Sequence, residues 1–398
     1  MPLSRTPRTV AAMIALLLAG GITPTAASAE TPAPNWSGLD ARFYSGPIAA
    51  PGQVISAVPL DRGLTVQGAG DAFRLLYSTI NQHDAASVST AAVFLPPSPP
   101  PDGGFPVIAW AHGTVGLGDD CTPSALPRSQ RDNIYLSRWL SAGFAVVASD
   151  YVGLGTPGTM SYLNGVATAH AVVDSVVAAH AMGLPLAPKW AVVGQSQGGG
   201  AAIASARWAS EFSAGRGLDY RGVVATGTPA NIDELVSKAG PDLAIPELGP
   251  IANAYTAYIL AAFREARPDL PIDGVLSPAG RDAAAAAQEM CVDQLSTQLE
   301  SQNIDQFFTR PLNSIPGLRD ALADYMGTPT SGFDRPVFLG VGLDDHDVPP
   351  TSTLTFYEQL VANNQQVELR IYPDADHDGT VLASLPDSMP FIRNVFTS

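Results

Sequence analysis

The chain has 398 residues, of which 46% are hydrophobic and 15% charged, and its formal net charge is −16. This acidity argues against a nucleic-acid partner and against electrostatic docking on anionic lipid. The length suits one α/β domain with an insertion, or two domains.

Residues 1–29 have the pattern of a secretory signal peptide. Arg5 and Arg8 precede an apolar segment, and Ala27-Ser28-Ala29 forms a small-residue cleavage site. The segment is too short to span a membrane, and no other run of spanning length follows, so we expect an exported, soluble chain. Loss of both arginines would bring the charge to −16 − 2, or about −18. Residues 30–50, rich in Pro, Gly and Ser, are expected to form an extended N-terminal arm.

From about residue 50 onward, apolar runs of strand length alternate with helix-like segments. The early runs follow one another across turns, which predicts antiparallel pairing, whereas helices separate the later runs, which predicts parallel crossovers. The later runs are almost wholly apolar, as in a sheet covered on both faces. The predicted fold is α/β, a mostly parallel doubly wound sheet with an antiparallel edge. The predicted strands are Gln53–Val58, Ala72–Thr79, Ala91–Leu95, Val107–Ala111, Ala145–Ser149, Trp190–Val193, Gly222–Thr226, Val337–Val341 and Val367–Tyr372, and the helices between them include Asn133–Ala142, Thr168–Met182 and Gly199–Phe212.

The loop after the strand Val107–Ala111 reads His112-Gly113-Thr114. An HG pair at this place is typical of a loop that donates a backbone N–H to an oxyanion. An ordinary turn at the end of a strand is the alternative. The residues alone leave Gly113, Thr114 and Val115 open as the donor.

The chain has two cysteines, Cys121 and Cys291. In an exported protein an even pair more often forms a disulfide than remains free, and two buried thiols are the alternative. Two distant cysteines without a C-x-x-C pair do not make a zinc site by themselves.

Gly194-Gln195-Ser196-Gln197-Gly198 is a G-x-S-x-G pentapeptide between a predicted strand and a run of small residues. The glycines suit a strained turn that brings a strand and a helix close together and presents a serine. A Gly/Ser-rich loop with a merely hydrogen-bonded serine is the alternative. The context favours Ser196 as a nucleophile, and the N–H of Gln197 is then expected to donate to the developing oxyanion.

The alternation of strands and helices stops between Pro229 and Pro336. The predicted helices here are Ala252–Ala266 and Arg281–Leu299. We expect residues 230–335 to form a helical cap over Ser196, inserted between two core segments, 51–229 and 336–398. A helical subdomain that covers only its own core is the alternative.

A serine hydroxyl needs a base to take its proton, and the base needs a carboxylate to hold its tautomer. Three aspartates follow the strand Val337–Val341. Asp345 is preferred because Val348-Pro349 follows it at +3 and +4, which puts the carboxylate on the strand-exit turn. Asp347 is the second choice and Asp344 the third.

His377 follows the last predicted strand, where the chain order Ser-acid-His puts the base on a flexible loop. The same loop fits the first half of a calcium-binding pattern, D-x-D-x-D-G, but the twelfth position holds Leu385 instead of Glu, so we expect no metal. Other histidines are better explained as turn, packing or surface residues: His83, His170, His180 and His346.

Together, these motifs resemble the secretory lipase family, a group of α/β-hydrolases of the yeast lipase A type. The resemblance covers about residues 50 to 395 and rests on the HGT loop, Ser149-Asp150-Tyr151, the GQSQGG turn, D-x-x-V-P at Asp345 and YPDADH at His377.

The resemblance implies Ser196 as nucleophile, Asp345 as acid and His377 as base. It also implies an oxyanion hole from Thr114 and Gln197, and a Cys121–Cys291 disulfide that ties the oxyanion loop to the cap. The chain departs from the yeast enzyme in two ways: Gly113-Thr114 stands where that enzyme has an acidic residue, and a second, C-terminal disulfide has no cysteines here.

The activity implied is that of a secreted carboxylic-ester hydrolase, acting without a cofactor on triacylglycerols or related lipid esters through an acyl-enzyme. A serine peptidase or acyltransferase of the same fold, or a binding protein that has lost catalysis, are the alternatives. If the cap covers Ser196, apolar side chains of its first helix are expected to line an acyl tunnel: Ile251, Tyr255, Tyr258, Ile259 and Phe263.

Overall fold

The computed structural model describes residues 37–242 and 251–397. The expected signal peptide, residues 1–29, and the start of the expected arm, residues 30–36, lie outside the described residues. The strands are β1 (Val54–Pro59), β2 (Ala72–Ile80), β3 (Ala86–Phe94), β4 (Phe105–Ala111), β5 (Ala145–Ser149), β6 (Leu186–Gln195), β7 (Asp219–Thr226), β8 (Val337–Gly342) and β9 (Val367–Tyr372). The α-helices are α1 (Gln130–Ser141), α2 (Gly165–Ala181), α3 (Gln197–Phe212), α4 (Ile232–Ser237), α5 (Ile251–Ala266), α6 (Pro278–Ala287), α7 (Val292–Leu299), α8 (Leu318–Met326), α9 (Pro350–Ala362), α10 (His377–Ala383) and α11 (Leu385–Thr397).

The nine strands of the described part form one sheet in the order β1-β2-β3-β5-β4-β6-β7-β8-β9. The pairs β1–β2, β2–β3 and β3–β5 are antiparallel, and all the others are parallel. The expected doubly wound sheet with an antiparallel edge is confirmed. The winding reverses at β4, because β5 lies on one side of it and β6 on the other. The carboxyl ends of β4 and β6 therefore flank a topological switch point, where open α/β sheets bind ligands.

Strand β4 illustrates how helices cover both faces of the sheet. Ala109 is buried in a cluster with Val172 of α2, whereas the next residue, Trp110, is buried in a second cluster with Trp139 of α1. Successive side chains of a strand point to opposite faces, so a sheet buried on both sides needs the continuous apolar runs seen in the sequence.

Between β7 and β8, the described residues form helices α4 to α8 and no further strand. Buried side chains of these helices, such as Phe263 and Leu322, belong to the same apolar cluster as one face of the sheet. The boundaries 230–335 of the cap stay a prediction. None of the helices in the described part is long and apolar enough to cross a bilayer.

The single helix expected over Arg281–Leu299 is wrong, because α6 ends at Ala287 and α7 begins at Val292. The break falls at Cys291, whose backbone is extended with φ −77° and ψ 160°. Cys291 forms an isolated antiparallel bridge with Gly116 and a disulfide with Cys121. These tertiary contacts interrupt a segment that has no Pro or Gly to mark the end of a helix.

Candidate active site

Ser196 lies at the turn between β6 and α3. Its backbone has φ 60° and ψ −128°, which L residues rarely adopt. Its N–H donates to the carbonyl of Thr226 on β7 at 3.0 Å, so the neighbouring strand holds the strained residue in place. A serine in a strained strand-to-helix turn is the geometry of a nucleophile elbow.

Two glycines make this turn possible. A Cβ on Gly194 would lie 1.9 Å from the carbonyl oxygen of Gly198, and a Cβ on Gly198 would lie 1.9 Å from the carbonyl oxygen of Ala111. Both distances are far shorter than van der Waals contact, so a side chain at either position would push β4, β6 and α3 apart. The G-x-S-x-G pattern is therefore a packing requirement of the switch point.

His377 and Asp345 form a buried pair. The Nδ1 atom of His377 lies 2.7 Å from Oδ2 of Asp345, and the two residues are 8% and 4% exposed. The other carboxylate oxygen accepts hydrogen bonds from the N–H groups of Asp347 at 3.0 Å and Val348 at 2.8 Å. Nε2 of His377 has no hydrogen-bond partner among the described residues, and it can therefore accept a proton.

The other two aspartates considered from the sequence have different partners. Oδ2 of Asp347 accepts a hydrogen bond from the Tyr255 hydroxyl at 3.1 Å. Asp344 lies 3.4 Å from His346, and both side chains are exposed. Of the three, Asp345 is the aspartate that contacts His377.

His377 is the first residue of α10 and does not lie on a flexible loop, so that expectation is wrong. Asp376 caps this helix by accepting a hydrogen bond from the N–H of Gly379 at 2.6 Å. Asp378 pairs with Arg131 of α1. Two of the three aspartates of the calcium-like pattern thus have structural partners, and no group of three or more His, Cys, Asp or Glu side chains in the described part is arranged to hold a metal ion.

Gln195 is a site residue that the sequence reasoning missed. Its side chain is fully buried, and Nε2 donates to the backbone carbonyl of His377 at 3.1 Å. Its Oε1 faces Gly113, because a Cβ on that glycine would lie 3.1 Å away. The last residue of β6 thus lies between the histidine and the loop after β4. The sequence feature that could have identified Gln195 is its position directly before Ser196.

The loop after β4 lies against Ser196. A Cβ on Gly113 would be 3.5 Å from the Cβ of Ser196, and the Thr114 hydroxyl is 2.7 Å from the hydroxyl of Tyr162. His112 is buried and stacks on Tyr151, with ring centroids 4.3 Å apart. Burial lowers the pKa of His112. The ring is thus neutral near pH 7, and its Nδ1 lies 2.7 Å from the carbonyl oxygen of Gly113 in the same loop.

The Cys121–Cys291 disulfide joins this loop to the insertion, with 5.4 Å between the Cα atoms and a sequence separation of 170. The N–H of Val292 also donates to the carbonyl of Val115 at 2.9 Å. Covalent and backbone contacts together fix the insertion beside the loop that faces Ser196.

Two cavities, each of about 400 Å³, meet at Ser196. The first lies under α5 and is mostly apolar, with Ile259, Leu260 and Phe308 among its lining residues. The second contains His377 and the loop residues Gly113 and Thr114.

The expected tunnel residues on α5 are partly wrong. Tyr255 and Ile259 line the first cavity and Ile251 lines the second, but Tyr258 and Phe263 line neither. The Tyr258 hydroxyl donates to the carbonyl of Met290 at 3.0 Å, and Phe263 packs edge-on against Tyr325. One face of a helix meets the cavity at intervals of three and four residues, which explains this division. The α5 residues on that face are Ala252, Tyr255, Thr256, Ile259 and Leu260.

Comparison with known proteins agrees with this geometry. Residues 125–322 match the secretory lipase family. This match covers just under half of the chain. The family match and the fold shared with lipases and esterases indicate a hydrolase of the lipase and esterase type. Residues 283–389, which include Asp345 and His377, also match the prolyl oligopeptidase family. No curated protein sequence matches the chain significantly.

Solved structures share the fold of this chain at low sequence identity. The closed state of Candida antarctica lipase A is 20% identical with a TM-score of 0.72, covering 87% of this chain and 83% of that one. The rice cell wall degrading esterase LipA of Xanthomonas oryzae is 19% identical with a TM-score of 0.66, covering 87% and 98%. A protein of Legionella pneumophila is 19% identical with a TM-score of 0.70, covering 86% of this chain and 98% of that one.

Proposed function

We propose that the protein is a carboxylic-ester hydrolase of lipase type in which Ser196 is the nucleophile, His377 the general base and Asp345 the acid. One observation carries the proposal: Asp345 holds Nδ1 of His377 at 2.7 Å, Nε2 has no hydrogen-bond partner within residues 37–242 and 251–397, and His377 lines the same cavity as Ser196.

In this mechanism, Nε2 of His377 takes the Ser196 hydroxyl proton as the serine oxygen attacks the ester carbonyl carbon. Asp345 stabilises the imidazolium that forms. The imidazolium then protonates the leaving alcohol, and the carbon–oxygen bond to that alcohol breaks to give an acyl-serine. His377 then takes a proton from water as the water oxygen attacks the acyl carbon of the acyl-serine. The imidazolium returns this proton to the serine oxygen as the bond from that oxygen to the acyl carbon breaks, which releases the acid and the free serine hydroxyl.

The oxyanion that develops on the carbonyl oxygen would accept hydrogen bonds from the backbone N–H groups of Gln197 and Thr114. Gln197 begins α3, whose N-terminus favours negative charge. The loop that contains Thr114 lies beside Ser196, as the 3.5 Å approach at Gly113 indicates. Each such donor contributes about 10²–10³ to kcat in enzymes of this kind.

The substrates we propose are triacylglycerols or related lipid esters, with residues 230–335 as the cap over them. The leaving alcohol must lie near His377 to be protonated, so it belongs in the second cavity, which contains that residue. The acyl chain then occupies the first cavity, whose lining under α5 is mostly apolar. Burial of each methylene there contributes about 0.8 kcal/mol.

We also propose that the protein acts outside the cell. The Cys121–Cys291 disulfide supports this proposal, because such bonds persist in oxidising compartments.

A peptidase is the second candidate, favoured by the match to the prolyl oligopeptidase family. The matched segment contains the acid and the histidine that serine hydrolases share on this fold, whereas the substrate is selected elsewhere. Hydrolysis of amino-acid p-nitroanilides faster than of p-nitrophenyl esters would favour this candidate.

The direct test is hydrolysis of p-nitrophenyl esters by Ser196→Ala. We expect a loss of about 10⁴-fold or more in kcat, because removal of a nucleophile disables the whole triad. Ser137→Ala, which removes an exposed hydroxyl from α1, is the matched control and should retain wild-type rates. Wild-type rates for Ser196→Ala would refute the proposed function.

A further inference from the structure

Of the described residues, three line both cavities: Ser196, Tyr255 and Asp347. The Tyr255 hydroxyl donates to Oδ2 of Asp347 at 3.1 Å. The two side chains therefore form a hydrogen-bonded bridge at the boundary where both cavities reach the serine.

The bridge joins two parts of the chain that are distant in sequence. Tyr255 belongs to α5 of the insertion, whereas Asp347 lies in the loop between β8 and α9. The N–H of Asp347 donates to Oδ1 of Asp345 at 3.0 Å, so the same loop also orients the carboxylate that contacts His377. Helix α5 is thereby connected, through Asp347 and Asp345, to His377.

The Tyr255 hydroxyl is the donor of this hydrogen bond. Burial of the phenol, with Asp347 as the next cause, raises the pKa of Tyr255, so the hydroxyl keeps its proton and remains a donor.

We infer that the Tyr255–Asp347 bridge is the divider of the substrate cleft and a determinant of acyl-chain specificity. This inference rests on the proposed function. An ester bound at Ser196 passes beside the bridge, with its acyl chain in the apolar cavity on one side and its alcohol in the histidine-containing cavity on the other.

The bridge keeps the two compartments separate, so a long acyl chain is confined to apolar surroundings. Without the bridge, the chain gains access to the more polar second cavity and to water. Each methylene that becomes hydrated lowers the kcat/KM for a long-chain ester, relative to that for the acetate, about fourfold.

The experiment compares kcat/KM for p-nitrophenyl decanoate with that for p-nitrophenyl acetate in the full-length protein. Tyr255→Phe removes the donor and keeps the ring, and Asp347→Ala removes the acceptor. Asp347→Asn keeps an acceptor oxygen and serves as the conservative rescue. Tyr258→Phe is the matched control, because its hydroxyl donates to Met290 and the residue lines neither cavity.

We expect the decanoate-to-acetate ratio to fall about fourfold or more in Tyr255→Phe and Asp347→Ala. Asp347→Asn should stay near the wild-type ratio, and Tyr258→Phe should match it. A wild-type ratio in both Tyr255→Phe and Asp347→Ala would overturn the divider while leaving the ester hydrolase intact. A wild-type protein that hydrolyses neither ester would overturn the proposed function and this inference with it.

Discussion

The side-chain amide of Gln195 donates to the backbone carbonyl of His377 at 3.1 Å, which ties the residue before Ser196 to the histidine that contacts Asp345. The two lie at the carboxyl ends of different strands, β6 and β9, with two strands between them in the sheet. Because Gln195 is fully buried, this bond is shielded from water and fixes the start of α10 relative to the elbow.

Gln195→Leu should therefore lower kcat about tenfold with little change in KM, since it removes one buried hydrogen bond that positions the base. Steady-state kinetics on a p-nitrophenyl ester measure this split. Ser205→Ala removes another fully buried polar group, from α3, and is the control for general destabilisation. Equal kcat losses in the two variants would show that Gln195 supports only the fold.

The contact between Asp345 and His377 predicts that substitution of Asp345 lowers kcat much more than substitution of Asp347. Asp345→Asn should lower kcat by about 10³–10⁴-fold, because the amide no longer favours the reactive tautomer or the imidazolium. Asp347→Asn should cost far less, since its carboxylate bonds to Tyr255 instead. If Asp347→Asn is the more damaging of the two, Asp345 is not the catalytic acid.

The disulfide should contribute to stability by constraining a long loop in the unfolded chain. We expect the double variant Cys121→Ser, Cys291→Ser to lose about 2–4 kcal/mol in the free energy of unfolding. Urea unfolding of the wild type with and without reductant, beside the variant, gives this value. Reductant should have no effect on the variant, and an equal effect on both proteins would contradict the assignment.

Burial lowers the pKa of His112 below its ordinary value of 6.5. The unfolded state then binds a proton more readily than the folded state, so this contribution to stability is complete above about pH 6.5 and is lost as the pH falls below it. The wild-type Tm should therefore drop more between pH 7 and pH 5 than that of His112→Asn, which has no titrating ring. Parallel pH profiles of Tm would exclude His112 as a source of acid sensitivity.

The sheet could be predicted from the sequence because its central strands are buried on both faces. Such strands must be continuous apolar runs, and β5 and β8 are examples in which every residue is buried. Chain order after β8 and β9 led to Asp345 and His377, which the structure brings into contact.

What the sequence could not reveal depends on contacts between distant segments. The break between α6 and α7 is imposed by the bond from Cys291 to Cys121, not by a local helix breaker. The helix at His377 was missed because an aspartate-rich segment is typical of a turn, whereas Asp376 here caps α10. Tyr255 and Tyr258 look alike in sequence, and only the packing of α5 shows which of them meets the cavity.

The most direct test of the central claim is labelling with a fluorophosphonate, followed by peptide mass spectrometry. Such reagents react with a serine that an adjacent base has activated. We predict one adduct, on Ser196, which is absent in Ser196→Ala and forms much more slowly in His377→Ala. No adduct on the wild-type protein, or an adduct on another residue, would contradict the assignment of Ser196 and His377 as the nucleophile and its base.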